Sequence, residues 1–355
     1  TYNGIPFFTD ASNNSMYTHD VSGTDSTAEQ NTAYGFAAMD AITTGDKNVG
    51  IGYSSLSALT TGQTNVAIGR SAGELLVEGS RNTAVGAYAL SQENAHGRNV
   101  AVGFSALLVQ DAGTDAYNTA VGYNAGKAVA TGIYNTALGG EALLTNEDGD
   151  NNTAIGFRAL KTFEADADGH GKNVAIGANA LENSTTGTEN TALGTEAMSS
   201  GDVTGDLNTA VGFASGRNLT SGQDNALLGA YAGDALTTGL YNVAIGRSAL
   251  SAETGHGYNV AVGTFALLSQ NASTHAHNTA VGYSAGSNTT TAVRNTLIGG
   301  LAGDAITEGG DNVALGYNSL GSNTIGNSNV AIGKDSMITN VAADRNVAVG
   351  LGSLQ

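Results

Sequence analysis

Apolar and polar residues alternate in a short phrase that recurs along almost the whole chain. The phrase begins with Asn, continues with Thr or Val, then Ala, then Val, Ile or Leu, and ends with Gly. From Asn31 to Asn346 it occurs in 19 copies, fifteen of them exact, and a 17-residue step separates successive copies in fourteen of eighteen cases. A short unit repeated at a fixed period is typical of a solenoid, in which each unit contacts mainly its neighbours.

Each copy, numbered from its Asn, carries the alternation of a short strand. Positions two and four share one face of that strand, and the Ala of position three points the other way. We expect the aliphatic residue of position four to form one buried row, and the Leu or Met common at position nine to form a second. A variable stretch rich in Ser, Thr, Asn and Asp follows and predicts the outer turn.

The length of the repeat decides the class of fold. A pair of helices needs about 30 residues or more per repeat and few glycines. A 17-residue unit with a Gly after a short strand instead fits one coil of a parallel β-solenoid. The chain is therefore predicted to be all-β, with an N-terminal cap or connector over residues 1–30, where Pro6 and two Phe residues could cover the first coil. A parallel β-solenoid (β-roll) of about 19 coils, the repeat shaft, follows over residues 31–355.

Two positions of each copy are predicted to be structural. Stacked coils place the Asn side chains in one column, where their amides can form hydrogen bonds from coil to coil. The Gly of position five allows a positive φ or the close approach of another backbone. Representative members of this ladder are Asn65, Asn118, Asn135, Asn242, Asn278, Gly69, Gly122, Gly139, Gly246 and Gly282.

The thinness of the coil predicts association between chains. So short a coil encloses few apolar side chains and supplies a weak core on its own. Alanines on an outer face would let another copy pack closely. We therefore expect obligate self-association, with a homotrimer around a threefold axis as the first expectation. The predicted oligomer interface includes Ala120, Ala137 and Ala280.

Composition excludes several classes of partner and site. The formal net charge is −18 with only 13 Lys and Arg residues, which argues against nucleic acid and anionic lipid. No run of 18 apolar residues occurs, so membrane insertion is not expected. The absence of Cys excludes disulfides and thiolate metal sites. An acidic exterior rich in Ser, Thr, Asn and Gly suits an extracellular protein.

No catalytic constellation stands out. The Ser and Thr residues belong largely to the repeat surface, and all six His residues lie in variable turns. We therefore predict no enzymatic activity, no catalytic residues and no cofactor. Acidic clusters at 147–150 and 166–169 offer oxygens suited to Ca²⁺, but neither matches a known calcium-binding loop. Aromatic residues recur at the coil spacing, and stacking between neighbouring coils is favoured over a sugar-binding ladder.

The copies that read NVAIG, at 65–69, 173–177, 242–246 and 329–333, resemble the head repeat of trimeric autotransporter adhesins. In that family each such phrase marks one coil of a parallel β-roll, and three rolls make the head. The version NTAVGYNAG, at 118–126, is more similar to repeats of phage tail fibres and bacterial surface proteins. Those repeats often precede an intramolecular chaperone of the endosialidase type. The resemblance covers nearly the whole chain and implies a trimer.

The resemblance implies a non-enzymatic fibre. The leading interpretation is a phage tail fibre or similar virion appendage, on the virion surface, that positions a receptor-binding tip for host attachment. Its partners would be sister chains, an adjoining fibre or tip domain, and a host cell-surface receptor or glycan. The alternative is a bacterial surface adhesin, extracellular, whose lateral surface binds matrix or host.

A third interpretation is an ice-binding solenoid that presents the Thr hydroxyls of position two. Val replaces Thr in nine of the 19 copies, and position two is expected to face inward. Both arguments weigh against ice binding.

One His-x-His segment, His275 and His277, is a candidate metal site. Alternate residues of an extended segment project to one side, so three chains around an axis would bring six imidazoles together. Phage fibres hold metal ions in such arrangements, so the resemblance implies a structural ion here. Against it, the pair lies in the turn of one of the longer coils, which is expected to be away from the axis.

Overall fold

The computed structural model describes residues 8–10, 13–18, 27–164 and 170–354. In these ranges the regular structure consists of short β-strands, and no helix that could cross a membrane is present. The chain folds as a parallel β-solenoid of about 19 coils with a 17-residue repeat, which confirms the predicted class of fold. It divides into two compact units, Thr1–Ala178 and Asn179–Gln355.

The first unit contains strands β1 to β11. Their bounds are β1 (Phe8–Asp10), β2 (Ser15–Tyr17), β3 (Thr32–Tyr34), β4 (Val49–Ile51), β5 (Val66–Ile68), β6 (Thr83–Val85), β7 (Val100–Val102), β8 (Thr119–Val121), β9 (Thr136–Leu138), β10 (Thr153–Ile155) and β11 (Val174–Ile176). From β3 to β11 each strand pairs in parallel with the next.

The second unit contains strands β12 to β21, which also pair in parallel in chain order. Their bounds are β12 (Thr191–Leu193), β13 (Thr209–Val211), β14 (Ala226–Leu228), β15 (Val243–Ile245), β16 (Val260–Val262), β17 (Thr279–Val281), β18 (Thr296–Ile298), β19 (Val313–Leu315), β20 (Val330–Ile332) and β21 (Val347–Val349).

The N-terminal segment, predicted as a cap or connector, contains a short hairpin. β1 pairs antiparallel with β2, and β2 pairs in parallel with β3, placing Tyr17 beside Ala33. Tyr17 is 1% exposed. Pro6 and Phe7, on which the sequence expectation also relied, lie outside the described residues.

The register of the coils follows the repeat. Thr119 pairs with Thr136, Ala120 with Ala137, and Val121 with Leu138, so each position lies beside its counterpart in the next coil. A parallel ladder in this register lets one side-chain type continue along each column within a unit. The repeated phrase is thus the chemical signature of stacked coils.

The structure corrects the predicted inside and outside of the strand. In β9, Ala137 is buried while Leu138 is 45% exposed, and strands β3 to β21 all bury their central residue. Ala120, Ala137 and Ala280, assigned to an oligomer interface, are buried inside their own coils. They are core residues, so that assignment is wrong. Position four is not a core row, whereas Leu143, at position nine, is buried as expected.

The small volume inside a coil explains this orientation. Residues of position nine occupy the interior, and in most copies only a methyl group fits beside them at position three. Leu227 is an exception at position three, and the residues at position nine of the preceding and the same coil are Gly216 and Gly233. A Cβ added to these glycines would lie 2.8 and 2.9 Å from the Leu227 side chain. Leu297 lies between two glycines in the same way.

A third interior column, at position twelve, was not predicted. The sequence placed this position in the variable outer turn, yet its side chains are buried. Apolar members are Ile42, Leu59, Leu76, Val129, Phe163, Leu219, Leu236 and Ile306. Polar members are Glu93, Gln110, Asn146, Ser184, Glu253, Gln270, Thr289 and Asn323.

Candidate functional site

The Asn column forms a hydrogen-bonded ladder inside each unit. Asn135 Oδ1 accepts hydrogen bonds from the backbone N and the Nδ2 of Asn152, at 2.9 and 3.2 Å. Asn135 Nδ2 donates to the carbonyl O of Gly149 at 2.8 Å, and its backbone N donates to Asn118 Oδ1 at 2.7 Å. Other members of the ladder make equivalent bonds, among them Asn65, Asn242 and Asn278. These residues are buried and connect coils.

The Gly column brings backbones of successive coils into close approach. Gly122 has a φ of +144°, and a Cβ built on it would lie 2.5 Å from the carbonyl O of Gly139. The same pairing with the next glycine of the column occurs at Gly69, Gly139, Gly246 and Gly282, with φ values of +137°, +139°, +128° and +139°. Both reasons for glycine, a positive φ and a neighbouring backbone, therefore hold at one position.

Positions two and four form what we call the outer strand face, on β3–β11 in the first unit and β12–β21 in the second. Position four is aliphatic in all copies but the first, where Tyr34 replaces it. The more exposed members include Ile68 at 38%, Leu193 at 43% and Leu228 at 47%. No charged residue occupies either position in any copy, although the chain has 31 acidic and 13 basic residues. An exposed apolar face without charge is typical of an association surface.

The Thr residues of position two lie on this outer strand face, half-buried in most strands. The expectation that they face inward, used against ice binding, is therefore wrong. Their alternation with Val still interrupts any regular array of hydroxyls.

Aromatic side chains stack between neighbouring coils, as predicted. The rings of Phe104 and Tyr123 are parallel with centroids 5.7 Å apart, and those of Tyr117 and Tyr134 are 5.6 Å apart. Tyr123 nevertheless remains 57% exposed. Each stack therefore stabilises adjacent coils and leaves ring surface open to a ligand.

His275 and His277 do not meet a third metal ligand within the described part of one chain. Their ring centroids are 6.5 Å apart and the rings are nearly perpendicular. His277 stacks on Tyr258 at 4.9 Å, and His275 Nδ1 accepts a hydrogen bond from the backbone N of Gly257 at 3.2 Å. The expected arrangement of six imidazoles concerns an assembled trimer and stays a prediction.

The acidic clusters behave as turn residues where they are described. Asp148 Oδ1 accepts a hydrogen bond from Thr131 Oγ1 at 2.6 Å, and Asp150 Oδ1 accepts one from the backbone N of Ile133 at 2.7 Å. Both carboxylates thus join their own coil to the preceding one. The second cluster, 166–169, lies outside the described residues.

Glu93 is a chemically unusual residue that the sequence reasoning missed. It stands in the position-twelve column, and its side chain is fully buried. Burial raises the pKa of the Glu93 carboxyl to about 7. A hydrogen bond from the backbone N–H of His96 lowers this pKa, whereas the negative charge of Asp111 raises it further. The available signal was the period itself, because Ile42, Leu59 and Leu76 precede Glu93 at the interval of the repeat.

Comparison of the chain with models of known protein families and with curated protein sequences gives no match. The function is therefore inferred from three features of the structure. They are an apolar outer strand face, exposed aromatic stacks, and a buried carboxylate beside a histidine.

Proposed function

We propose that the protein is a structural fibre protein whose chains associate through the outer strand face. The observation that carries this proposal is the row of exposed or part-exposed Val, Ile and Leu side chains, free of charged residues, on eight strands of the first unit and ten of the second. Covering a half-exposed aliphatic side chain contributes about 1 kcal/mol. Repetition over successive coils makes such a face a strong association surface, even where each contact is small.

A homotrimer is the proposed assembly. The resemblance of the NVAIG phrase to trimeric β-roll repeats supports three chains, with the outer strand faces turned toward a shared axis. The same arrangement leaves the acidic turns toward solvent, where self-repulsion keeps the assembly soluble. The interface proposed here consists of positions two and four, and it replaces the alanine row.

Within this assembly the chain would serve as the shaft of a phage tail fibre or similar virion appendage that positions a receptor-binding tip. Its partners would be sister chains, an adjoining fibre or tip domain, and, through the tip, a host receptor or glycan. A bacterial surface adhesin is the second candidate. The exposed rings of Tyr123 and Tyr283 favour it, because aromatic faces on a lateral surface can stack on sugars.

Charges placed on the outer strand face are expected to dissociate the assembly. Wild type should sediment at three times the chain mass of 35.4 kDa. The double variant Leu138→Glu, Leu228→Glu should sediment as a monomer, because each carboxylate would be buried without a partner. Analytical ultracentrifugation measures both masses, with circular dichroism to confirm folding.

The matched control is Gln63→Glu, Gln223→Glu, which adds the same charge at exposed turn positions, one in each unit. It should remain associated. A wild-type monomer would contradict the proposed assembly. An associated Leu138→Glu, Leu228→Glu variant would show that another surface forms the interface.

A binding experiment separates the fibre from the adhesin. If the chain is a shaft, the purified assembly should not bind immobilised host glycans, since recognition belongs to the tip. Saturable binding that Tyr123→Ser and Tyr283→Ser abolish would instead favour the adhesin. Both substitutions leave the outer strand face unchanged, so sedimentation should be unaffected.

A further inference from the structure

A buried carboxylate with an unpartnered oxygen interrupts the position-twelve column. Glu93 follows Ile42, Leu59 and Leu76 in that column, and its side chain is fully buried. Its Oε1 accepts a hydrogen bond from the backbone N of His96 at 3.0 Å. Its Oε2 has no hydrogen-bond partner among the residues that the structure describes. Burial of an ionised carboxylate is strongly unfavourable unless a cation offsets it.

Two further ligand atoms lie beside this carboxylate. His96 Nδ1 is buried, has no hydrogen-bond partner in the described part of the chain, and lies 4.0 Å from Glu93 Oε1. Asp111, from the next coil, completes a group in which one ligand atom of each residue lies within 4.8 Å of the others. Within the described ranges, no other three His, Asp or Glu side chains come this close.

We propose that Glu93, His96 and Asp111 bind a divalent transition-metal ion of the zinc type, which links two neighbouring coils. Imidazole nitrogen and carboxylate oxygen are ordinary zinc ligands, and water can complete a tetrahedral set. Ligand atoms around zinc are about 3.3 Å apart, from bond lengths of about 2.0 Å. The side chains of His96, 31% exposed, and Asp111, on the surface, have room to close on the fixed Glu93.

The ligand set distinguishes zinc from the common hard cations. Ca²⁺ and Mg²⁺ take oxygen ligands, so the imidazole of His96 contributes nothing to their binding. Two carboxylates balance the charge of a divalent ion. The site lies within one chain and does not depend on the proposed association of chains.

An internal duplication supplies a natural comparison, since NTAVGYNAG at 118–126 returns as NTAVGYSAG at 278–286. At the same offset, Glu253 and His256 correspond to Glu93 and His96. Glu253 is likewise buried, its Oε1 accepts a hydrogen bond from the backbone N of His256 at 3.0 Å, and its Oε2 has no hydrogen-bond partner in the described chain. The counterpart of Asp111 is Asn271, whose neutral amide is not a usual zinc ligand. The second position should therefore bind zinc more weakly.

The test titrates Zn²⁺ into the full chain after EDTA treatment, using calorimetry for affinity and elemental analysis for content. We expect one tightly bound zinc ion per chain. Asp111→Asn gives the first position the composition of the second, and zinc affinity should fall roughly 10- to 100-fold or more. Glu93→Gln, of similar size, should have the same effect. Asn271→Asp should raise the content to two ions per chain.

Several results would overturn the site. They are a wild-type chain that retains no zinc, an Asp111→Asn variant with unchanged affinity, or Ca²⁺ that displaces zinc at equal concentration. Loss of zinc in His275→Asn, with Asp111→Asn unaffected, would place the ion at the His-x-His segment instead. Circular dichroism checks that each variant is folded, and Asp111→Asn, at an exposed position, keeps the test decisive if Glu93→Gln does not fold.

Discussion

Gly122→Ala is expected to lower the free energy of unfolding by about 3 kcal/mol or more, from backbone strain and steric overlap together. Gly122 has a φ of +144°, which L-residues rarely adopt, and the new Cβ would lie 2.5 Å from the carbonyl O of Gly139. Relief of that overlap forces the two coils apart and weakens the hydrogen bond from Gly139 N to Val121 O, now 2.8 Å. Urea unfolding followed by circular dichroism measures the loss.

Gly350→Ala is the matched control. Gly350 belongs to the same column and has a φ of +124°, but apart from its chain neighbours no atom of the described residues lies within 4 Å of its added Cβ. In this variant backbone strain alone should lower the free energy of unfolding, by about 1–3 kcal/mol. Equal losses in the two variants would show that φ alone requires glycine. An unchanged unfolding midpoint for Gly122→Ala would contradict the proposed structural role of the Gly column.

Asn135→Leu is expected to destabilise the first unit by about 2–5 kcal/mol, because two buried N–H donors would lose Asn135 Oδ1 as their acceptor. These are the backbone N–H and the Nδ2 of Asn152, which donate to Asn135 Oδ1 at 2.9 and 3.2 Å, whereas the carbonyl of Gly149 would keep its hydrogen bond from Asn146 Nδ2. Leu has a similar volume, so packing changes little. The same urea titration measures the effect.

Asn346→Leu is the matched control, which distinguishes the hydrogen bonds of the ladder from a general preference for Asn at this position. Asn346 is part-buried, its Nδ2 donates to Asn329 Oδ1 at 3.1 Å, and among the described residues nothing donates to its own Oδ1. Its replacement should cost about 1 kcal/mol, the value of a single hydrogen bond. A loss as large as that of Asn135→Leu would contradict the ladder, as would a neutral Asn135→Leu.

The class of fold and its repeat were predictable from the order of the residues alone. A coil that stacks on similar coils must place the same type of residue at the same position. The period of the sequence repeat therefore gives the number of residues in each coil. Asn and Gly were informative because their roles are specific. An amide can donate and accept along a column, and only glycine combines a positive φ with a backbone at contact distance.

Which face of each strand lies inside depends on the packing of side chains within the coil. The alternation of Ala120 with Thr119 and Val121 shows which residues share a face, but both orientations satisfy a period of two. Because Val is more hydrophobic than Ala, the sequence favoured Val121 as the buried residue. The interior, however, is narrowed by side chains from positions nine and twelve, so only the methyl of Ala120 fits and Val121 faces outward.

The candidate metal site depended on the fold for the same reason. Glu93 and His96 are close in sequence, in a stretch that reads as a solvated turn, and Asp111 belongs to the next coil. The period places Glu93 in one column with three aliphatic residues, but the inward direction of a side chain in a turn depends on backbone dihedral angles, which the spacing does not give. Stacking of adjacent coils then brings Asp111 to the other two ligands, since residues distant in sequence meet only where the coils pack.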